Sequence, residues 1–163
     1  MSVARSRPSV RTIGRYTRAD VDQILEIENA SFSHPWSRQM FDEELNNRLC
    51  HIFVAREQTE KGLRVFGYIC FWLFLGEMHL LNIAVRPEAR RKGIGDALLA
   101  QALDFASRRG AKVVFLEARK SNQAAQALYA RFNFHAMGVR PRYYEDGEDA
   151  VVMLLELNGE GRK

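Results

Sequence analysis

The chain has 163 residues, 47% of them hydrophobic and 27% charged, and 24 basic side chains against 20 acidic ones give a formal net charge of +4. That size suits one sizeable core rather than two, and the longest apolar run, residues 65–75, is well short of the roughly 18 residues that a membrane span needs. Only Cys50 and Cys70 occur, each within an apolar stretch and without the paired spacing of a zinc site or a disulfide framework, so they read as reduced core thiols of a cytoplasmic protein with no metal.

Five arginines (Arg5, Arg7, Arg11, Arg15, Arg18) precede the first acid, Asp20, so much of the basic bias sits at the front. A solvated basic tail over residues 1–9 is the preferred reading over a targeting or RNA-binding segment, because the first strand, residues 10–15, begins so early. "TRAD" then has the spacing of a capping box with Asp in place of Glu, and Val21, Ile24, Leu25 and Glu28 follow at helical spacing to about Asn29. "SFSHPWS" breaks the period, and Ser37 caps a second helix carrying Met40, Phe41 and Leu45. "CHIFVARE", "LRVFGYICFWLFL" and "EMHLLNIAV", separated by short turns, read as three strands of an antiparallel meander. Ile94, Leu98, Ala102 and Phe105 mark a third helix that ends at the cationic Arg108, Arg109 and the glycine stop Gly110. "AKVVFLEA" is nearly continuous in apolar residues, as in a strand covered on both faces. Ser121 or Asn122 caps a helix with Ala125, Leu128, Tyr129 and Phe132 on one face, and two extended segments, "HAMGVR" and "DAVVMLLEL", finish the chain. The expected fold class is α/β with layered α+β character: one domain over residues 10–158, a C-terminal tail over 159–163, and a mixed sheet in the order β-α-α-β-β-β-α-β-α-β-β.

Between the third meander strand and the following helix lies "RRKGIG", residues 90–95. A strand that feeds a helix through glycines offers free backbone N–H groups and a helix N-terminus to an anion, and Arg90, Arg91 and Lys92 add charge beside it. The turn lacks both the G-x-x-x-x-G-K-[ST] and the G-x-G-x-x-G patterns, which argues against ATP and NAD. Two readings of the turn remain: a pyrophosphate cradle, or an ordinary tight connection with its basic residues in water.

Two further residues attract chemistry. Glu117 lies inside the apolar run "VVFLEAR", so it is either exposed near a strand end or partly desolvated with a raised pKa that suits a proton acceptor. Tyr129 lies on an apolar helix face, where a phenol is ordinary packing unless its hydroxyl enters a site. His79 is another possible base, but a His near the start of a strand is ordinarily structural.

The R-x-x-G-x-G turn and the order of elements resemble the GNAT superfamily of N-acetyltransferases. More narrowly, "SFSHPWS", "HLLNIAV", "RRKGIG", "FLEARKSNQAAQALY" and "RPRYYEDGEDAVVM" are similar to the bacterial ribosomal-protein-alanine N-acetyltransferases. The resemblance implies acetyl-CoA as donor, held by the backbone of Ile83, Ala84 and Val85, by Arg90, Arg91, Lys92, Gly93, Ile94 and Gly95 around the pyrophosphate, and by Asn122, whose place is also that of a helix N-cap. It implies Glu117 as proton acceptor and Tyr129 as proton donor. Phe32, Pro35, Trp36, Tyr143 and Tyr144 fall on loops flanking a peptide entrance, although Trp36 reads equally as a seal on the core edge. The implied partner is a ribosomal-protein N-terminus, with no membrane and no direct nucleic-acid binding. Two alternatives stand beside it: an acetyltransferase acting on a small amine or lysine side chain, and a CoA- or RNA-binding module without chemistry. Where relatives usually have Gly-Phe after the Tyr-bearing helix, this chain has Asn133-Phe134, and Asn is the next best residue for a left-handed helix stop.

Overall fold

The computed structural model describes residues 11–157. The expected basic tail, Val10 of the first strand and the expected C-terminal tail lie outside the described residues. The elements are β1 (Arg11–Arg15), α1 (Val21–Ser31), α2 (Arg38–Leu45), β2 (Cys50–Thr59), β3 (Gly62–Phe74), β4 (Glu77–Val85), α3 (Ile94–Arg108), β5 (Val113–Arg119), α4 (Gln123–Arg131), β6 (His135–Arg140) and β7 (Ala150–Glu156).

The local signals act where their chemistry places them. The Thr17 N–H donates to Asp20 Oδ2 (2.6 Å), closing a short 3-10 turn that leads into α1. Ser37 Oγ accepts from the Met40 N–H (3.2 Å) at the start of α2, and Asn122 Oδ1 accepts from the Ala125 N–H (3.1 Å) at the start of α4. Asn133 takes the left-handed conformation with φ +69° and ends the turn after α4, the role that Asn shares with Gly at helix stops.

One seven-stranded sheet runs in the order β1-β2-β3-β4-β5-β7-β6, and β4 and β5 pair parallel whereas every other pair is antiparallel. Side chains alternate across it, so its central strands β2, β3 and β4 serve two cores. On one face Phe53, Ile69, Phe71, Met78 and Leu80 pack with Leu98, Leu99 and Ala102 of α3. On the other, Ile52, Val54, Tyr68 and Cys70 pack with Ile24 and Ile27 of α1 and Phe41 of α2. Cys50 and Cys70 are both free, with their sulfurs 3.4 Å apart.

The expectation for β5 is half met. Val114, Leu116 and Ala118 are buried against the α3 core, but Val113, Phe115, Glu117 and Arg119 alternate with them as half-buried residues. No residue of β5 joins the α1–α2 core, so that face of β5 stays partly open.

The opening has a backbone cause. Parallel pairing of β4 with β5 stops at Leu80 opposite Leu116, yet β4 continues to Val85 and β5 to Arg119. On the far side of β4, Leu80 pairs with Phe71 and Asn82 with Cys70, which leaves Leu81 as an extra residue. Such a bulge bends its strand and raises its twist, and here it coincides with the point where the two strands part.

Candidate functional site

A cleft of about 550 Å³ lies over the parted strands, lined by Leu81, Asn82 and Ile83 of β4, Glu117 of β5, and Tyr129 of α4, together with Phe32, Pro35, Trp36 and Tyr144 from two loops. Glu117 has a side chain only 11% exposed, and its Oε2 is 2.8 Å from His79 Nε2, while Arg140 Nη2 is 3.8 Å from Oε1. The His79 hydrogen bond outweighs burial and holds the Glu117 carboxyl below the usual carboxylate range. This corrects the expectation of a raised pKa. Burial does oppose the charge, but a partner 38 residues earlier in the chain reverses the sign.

Tyr129 is 7% exposed and packs against Phe134, ring centroids 5.7 Å apart. Burial pushes its phenol well above the ordinary range, so it stays protonated through neutral and mildly alkaline pH. No hydrogen bond engages its hydroxyl among the described residues. Its ring belongs to the α3-side core, whereas Glu117 faces the other side of the sheet, and the parted strands allow both to reach one cleft.

The first entrance loop is tied down by a residue that the sequence reading did not single out. Glu28 of α1 is 1% exposed; its Oε1 accepts from the Trp36 N–H (2.9 Å), and its Oε2 accepts from Asn82 Nδ2 (2.7 Å) and from the Tyr68 hydroxyl. Burial raises its pKa, against the pull of these three donors. The available signal was a carboxylate at an apolar position of an amphipathic helix. Trp36 also packs on Phe41, with centroids 5.1 Å apart, so it seals the core edge and lines the cleft at once. In the second loop, Tyr144 donates to the Glu117 carbonyl (3.4 Å) and lies under the Arg119 guanidinium, 4.1 Å from the ring centroid. Tyr143 stacks edge-on against Tyr144 but is 46% exposed and outside the cleft wall.

A second cleft, about 760 Å³, lies along the other mouth of the gap, lined by Ile83, Ala84, Val85, Arg90, Arg91, Gly93, Ile94, Gly95 and Asn122 among others. Lys92 is exposed and not in this wall. Arg90 lines it, but its guanidinium is engaged: Nε donates to the Val85 carbonyl (3.1 Å) and Nη2 to Ser31 Oγ (3.1 Å). Arg90 therefore braces the turn to β4 and α1, and of the two other arginines in the wall Arg131 is paired with Asp96 while Arg91 makes no ion pair among the described residues.

The turn suits a diphosphate. Gly93 caps α3 with φ +80°, which a side chain opposes, and a Cβ built on it would meet nothing within 4 Å. The glycine is thus required by conformation, with open space in front of it. The first-turn N–H groups of α3 have no intrahelical acceptor, and the nearby Asp96 carboxylate is paired with Arg131 (2.7 Å). Beside it, the edge of β4 beyond Leu80 has no strand partner on the β5 side, which leaves main-chain groups of Ile83–Val85 for an extended polar ligand. Asn122, with its Oδ1 used as a helix cap, still lines both clefts, as do Phe32, Ile83 and Ala125. Among the described residues no cluster of His, Cys, Asp and Glu is placed to hold a metal, and no helix is long and apolar enough to cross a membrane.

Known proteins are similar to this chain in sequence and fold. A profile described as the acetyltransferase (GNAT) family matches residues 21–134. The chain is 33% identical over 152 residues to the ribosomal-protein-bS18-alanine N-acetyltransferase of Escherichia coli (strain K12), covering 91% of this chain and 99% of that protein. The crystal structure of the ribosomal-protein-S18-alanine N-acetyltransferase from Escherichia coli superimposes with a TM-score of 0.80 at 33% identity, over 94% of this chain and 99% of that one. A chain of the NatC complex, solved bound to Gag peptide and CoA, shares the fold at 23% identity with a TM-score of 0.81, over 91% of this chain and 99% of that one.

Proposed function

Because the chain belongs to the GNAT acetyltransferase family, we propose that it transfers acetyl from acetyl-CoA to the N-terminal α-amino group of a protein, namely the N-terminal alanine of a small-subunit ribosomal protein. The acting unit spans residues 10–158 and works in the cytoplasm, without a metal and without binding nucleic acid directly. The observation that carries this reading is the meeting of two clefts at the parted strands, one walled by main-chain donors and glycines, the other by a carboxylate, a phenol and aromatic loops. A relative similar over nearly its whole length carries that acceptor in its name.

In this reading the donor, when bound, supplies an acetyl thioester with a thiolate leaving group. Residues 90–95 hold its diphosphate through α3 N–H groups and Arg91, and the free edge of β4 at Ile83–Val85 aligns the arm and offers N–H donors to the acetyl oxygen as it gains charge. An α-amine has a pKa of about 8 and is largely protonated at neutral pH, so a proton must leave it. Glu117, ionised at neutral pH, accepts that proton directly or through a water and so frees the lone pair before it attacks the thioester carbon; the second proton, shed once the C–N bond has formed, passes to water. Tyr129, kept protonated by burial, gives its proton to the departing sulfur. Phe32, Pro35, Trp36, Tyr143 and Tyr144 shape the way in for the peptide.

Incubation with acetyl-CoA and a peptide beginning with alanine is expected to release free thiol and acetylate the α-amine. A peptide with a blocked α-amine and a free lysine should stay unmodified; its acetylation would favour the side-chain alternative. Wild-type turnover by both Glu117→Gln and Tyr129→Phe would overturn the residue roles.

A further inference from the structure

We propose that His79 is a positioning residue for Glu117: from β4 it grips one carboxylate oxygen across the fork between β4 and β5 and leaves the other to face the acceptor amine. The inference rests on the acetyl-transfer reading of Glu117.

Glu117 is the first residue of β5 beyond the last rung shared with β4, Leu80 opposite Leu116. Its strand partner is Val152 of β7. His79 stands opposite Phe115, two residues before Glu117 and on the same face of the sheet, so its ring reaches diagonally over the end of the ladder to Oε2 at 2.8 Å. This side-chain bridge replaces the main-chain rung that the fork lacks.

The ring is itself braced. Trp72 of β3 lies edge-on to it, centroids 6.0 Å apart and planes at 84°, and the Trp72 indole N–H donates to Glu44 Oε2 of α2 (2.7 Å). A chain of contacts thus runs from Glu44 through Trp72 and His79 to Glu117. The competing charge comes from β6, where Arg140 Nη2 lies 3.8 Å from Glu117 Oε1, with the Arg140 side chain 59% exposed. From the following loop Tyr144 reaches only the Glu117 carbonyl, and the Glu117 charge adds to burial in raising the pKa of the neutral Tyr143 phenol. Among the described residues Oε1 accepts no hydrogen bond. Two cation-capable groups therefore bid for one carboxylate from opposite sides, and His79 holds the nearer place. Without it, Arg140 alone draws the carboxylate towards the open edge of the sheet and away from the cleft.

His79→Leu is expected to lower kcat roughly 10²-fold, the order of loss for a reacting group displaced by about 1 Å, with KM for acetyl-CoA unchanged. His79→Gln, which keeps an N–H donor at similar reach, should recover most of that loss. The second readout needs no turnover. With carbon-13 at the Glu side-chain carboxyls and the Glu117 signal assigned by its loss in Glu117→Gln, the titration midpoint should move up in His79→Leu, because the bond favouring the ionised form is gone while burial remains. An unmoved midpoint, or equal impairment of the Leu and Gln variants, overturns the proposal. Should Glu117→Gln turn over like wild type, the fault lies with the acetyl-transfer role of Glu117, and the titration still decides whether His79 holds it.

Discussion

The two mouths of the β4–β5 gap are built from different parts of the chain. At the glycine turn the groups offered to a ligand are main-chain: N–H groups at the start of α3, the free edge of β4, and a left-handed Gly93 with open space before it. At the opposite mouth they are side chains, Glu117, Tyr129 and the aromatic loops, of which Glu117 and Tyr144 are held by groups 38 and 27 residues away. Main-chain recognition tolerates changes of side chain so long as the backbone keeps its path. Side-chain chemistry fails with the loss of a single functional group. The contrast predicts where substitutions hurt and in what currency.

The largest effect is expected from Glu117→Gln, which removes the proposed proton acceptor while keeping its shape: kcat should fall on the order of 10²- to 10⁴-fold with little change in acetyl-CoA affinity. Steady-state kinetics and calorimetry check this, and a weakened donor affinity with intact kcat would erase the distinction between the mouths. Next comes Glu28→Ala, which takes the acceptor from the Trp36 N–H and the Tyr68 hydroxyl and leaves the Asn82 amide with the Tyr68 oxygen alone. A loss of about 3 kcal/mol or more in urea denaturation is expected, since each buried group left unpaired costs about 1–3 kcal/mol; a loss under about 0.5 kcal/mol would mean the entrance loop stands without it.

Gly93→Val tests the other mouth. A left-handed conformation costs a residue with a Cβ roughly 1–2 kcal/mol, and no clash adds to this because nothing lies within 4 Å of the built Cβ. The melting temperature should drop and KM for acetyl-CoA should rise, with kcat changing least; an unchanged KM would deny the turn its binding role. Smallest of all is Lys92→Ala, which alters an exposed side chain outside the cleft wall. Its stability should stay within about ±0.5 kcal/mol and its KM close to wild type. A tenfold rise in KM would show that side-chain charge, and not main chain, grips the donor.

The same contrast governs what could be read from the sequence. The meander, the capped helices and the glycine turn depend on neighbours within a few residues, and their patterns are visible in Ser37, Asn122, Asn133 and Gly93. The sign of the Glu117 shift was not visible, because it depends on His79, 38 residues away. The work of Glu28 was hidden for the same reason, its partners Tyr68 and Asn82 being 40 and 54 residues off. Arg90 was legible as part of the turn, but not as a brace whose guanidinium is spent on Val85 and Ser31. The open face of β5 was concealed by an apolar run that on composition alone belongs indoors.

The extra residue at Leu81 has a kinetic consequence. It coincides with the parting of the sheet at one rung, and under the proposed function this gives donor and acceptor separate mouths of one gap, so that neither stands in the other's path. Double-reciprocal plots at several fixed concentrations of the second reactant should therefore intersect, as they do when both occupy the catalyst together. A family of parallel lines would mean that the acetyl group halts on the protein midway, and that the gap is not the place of exchange.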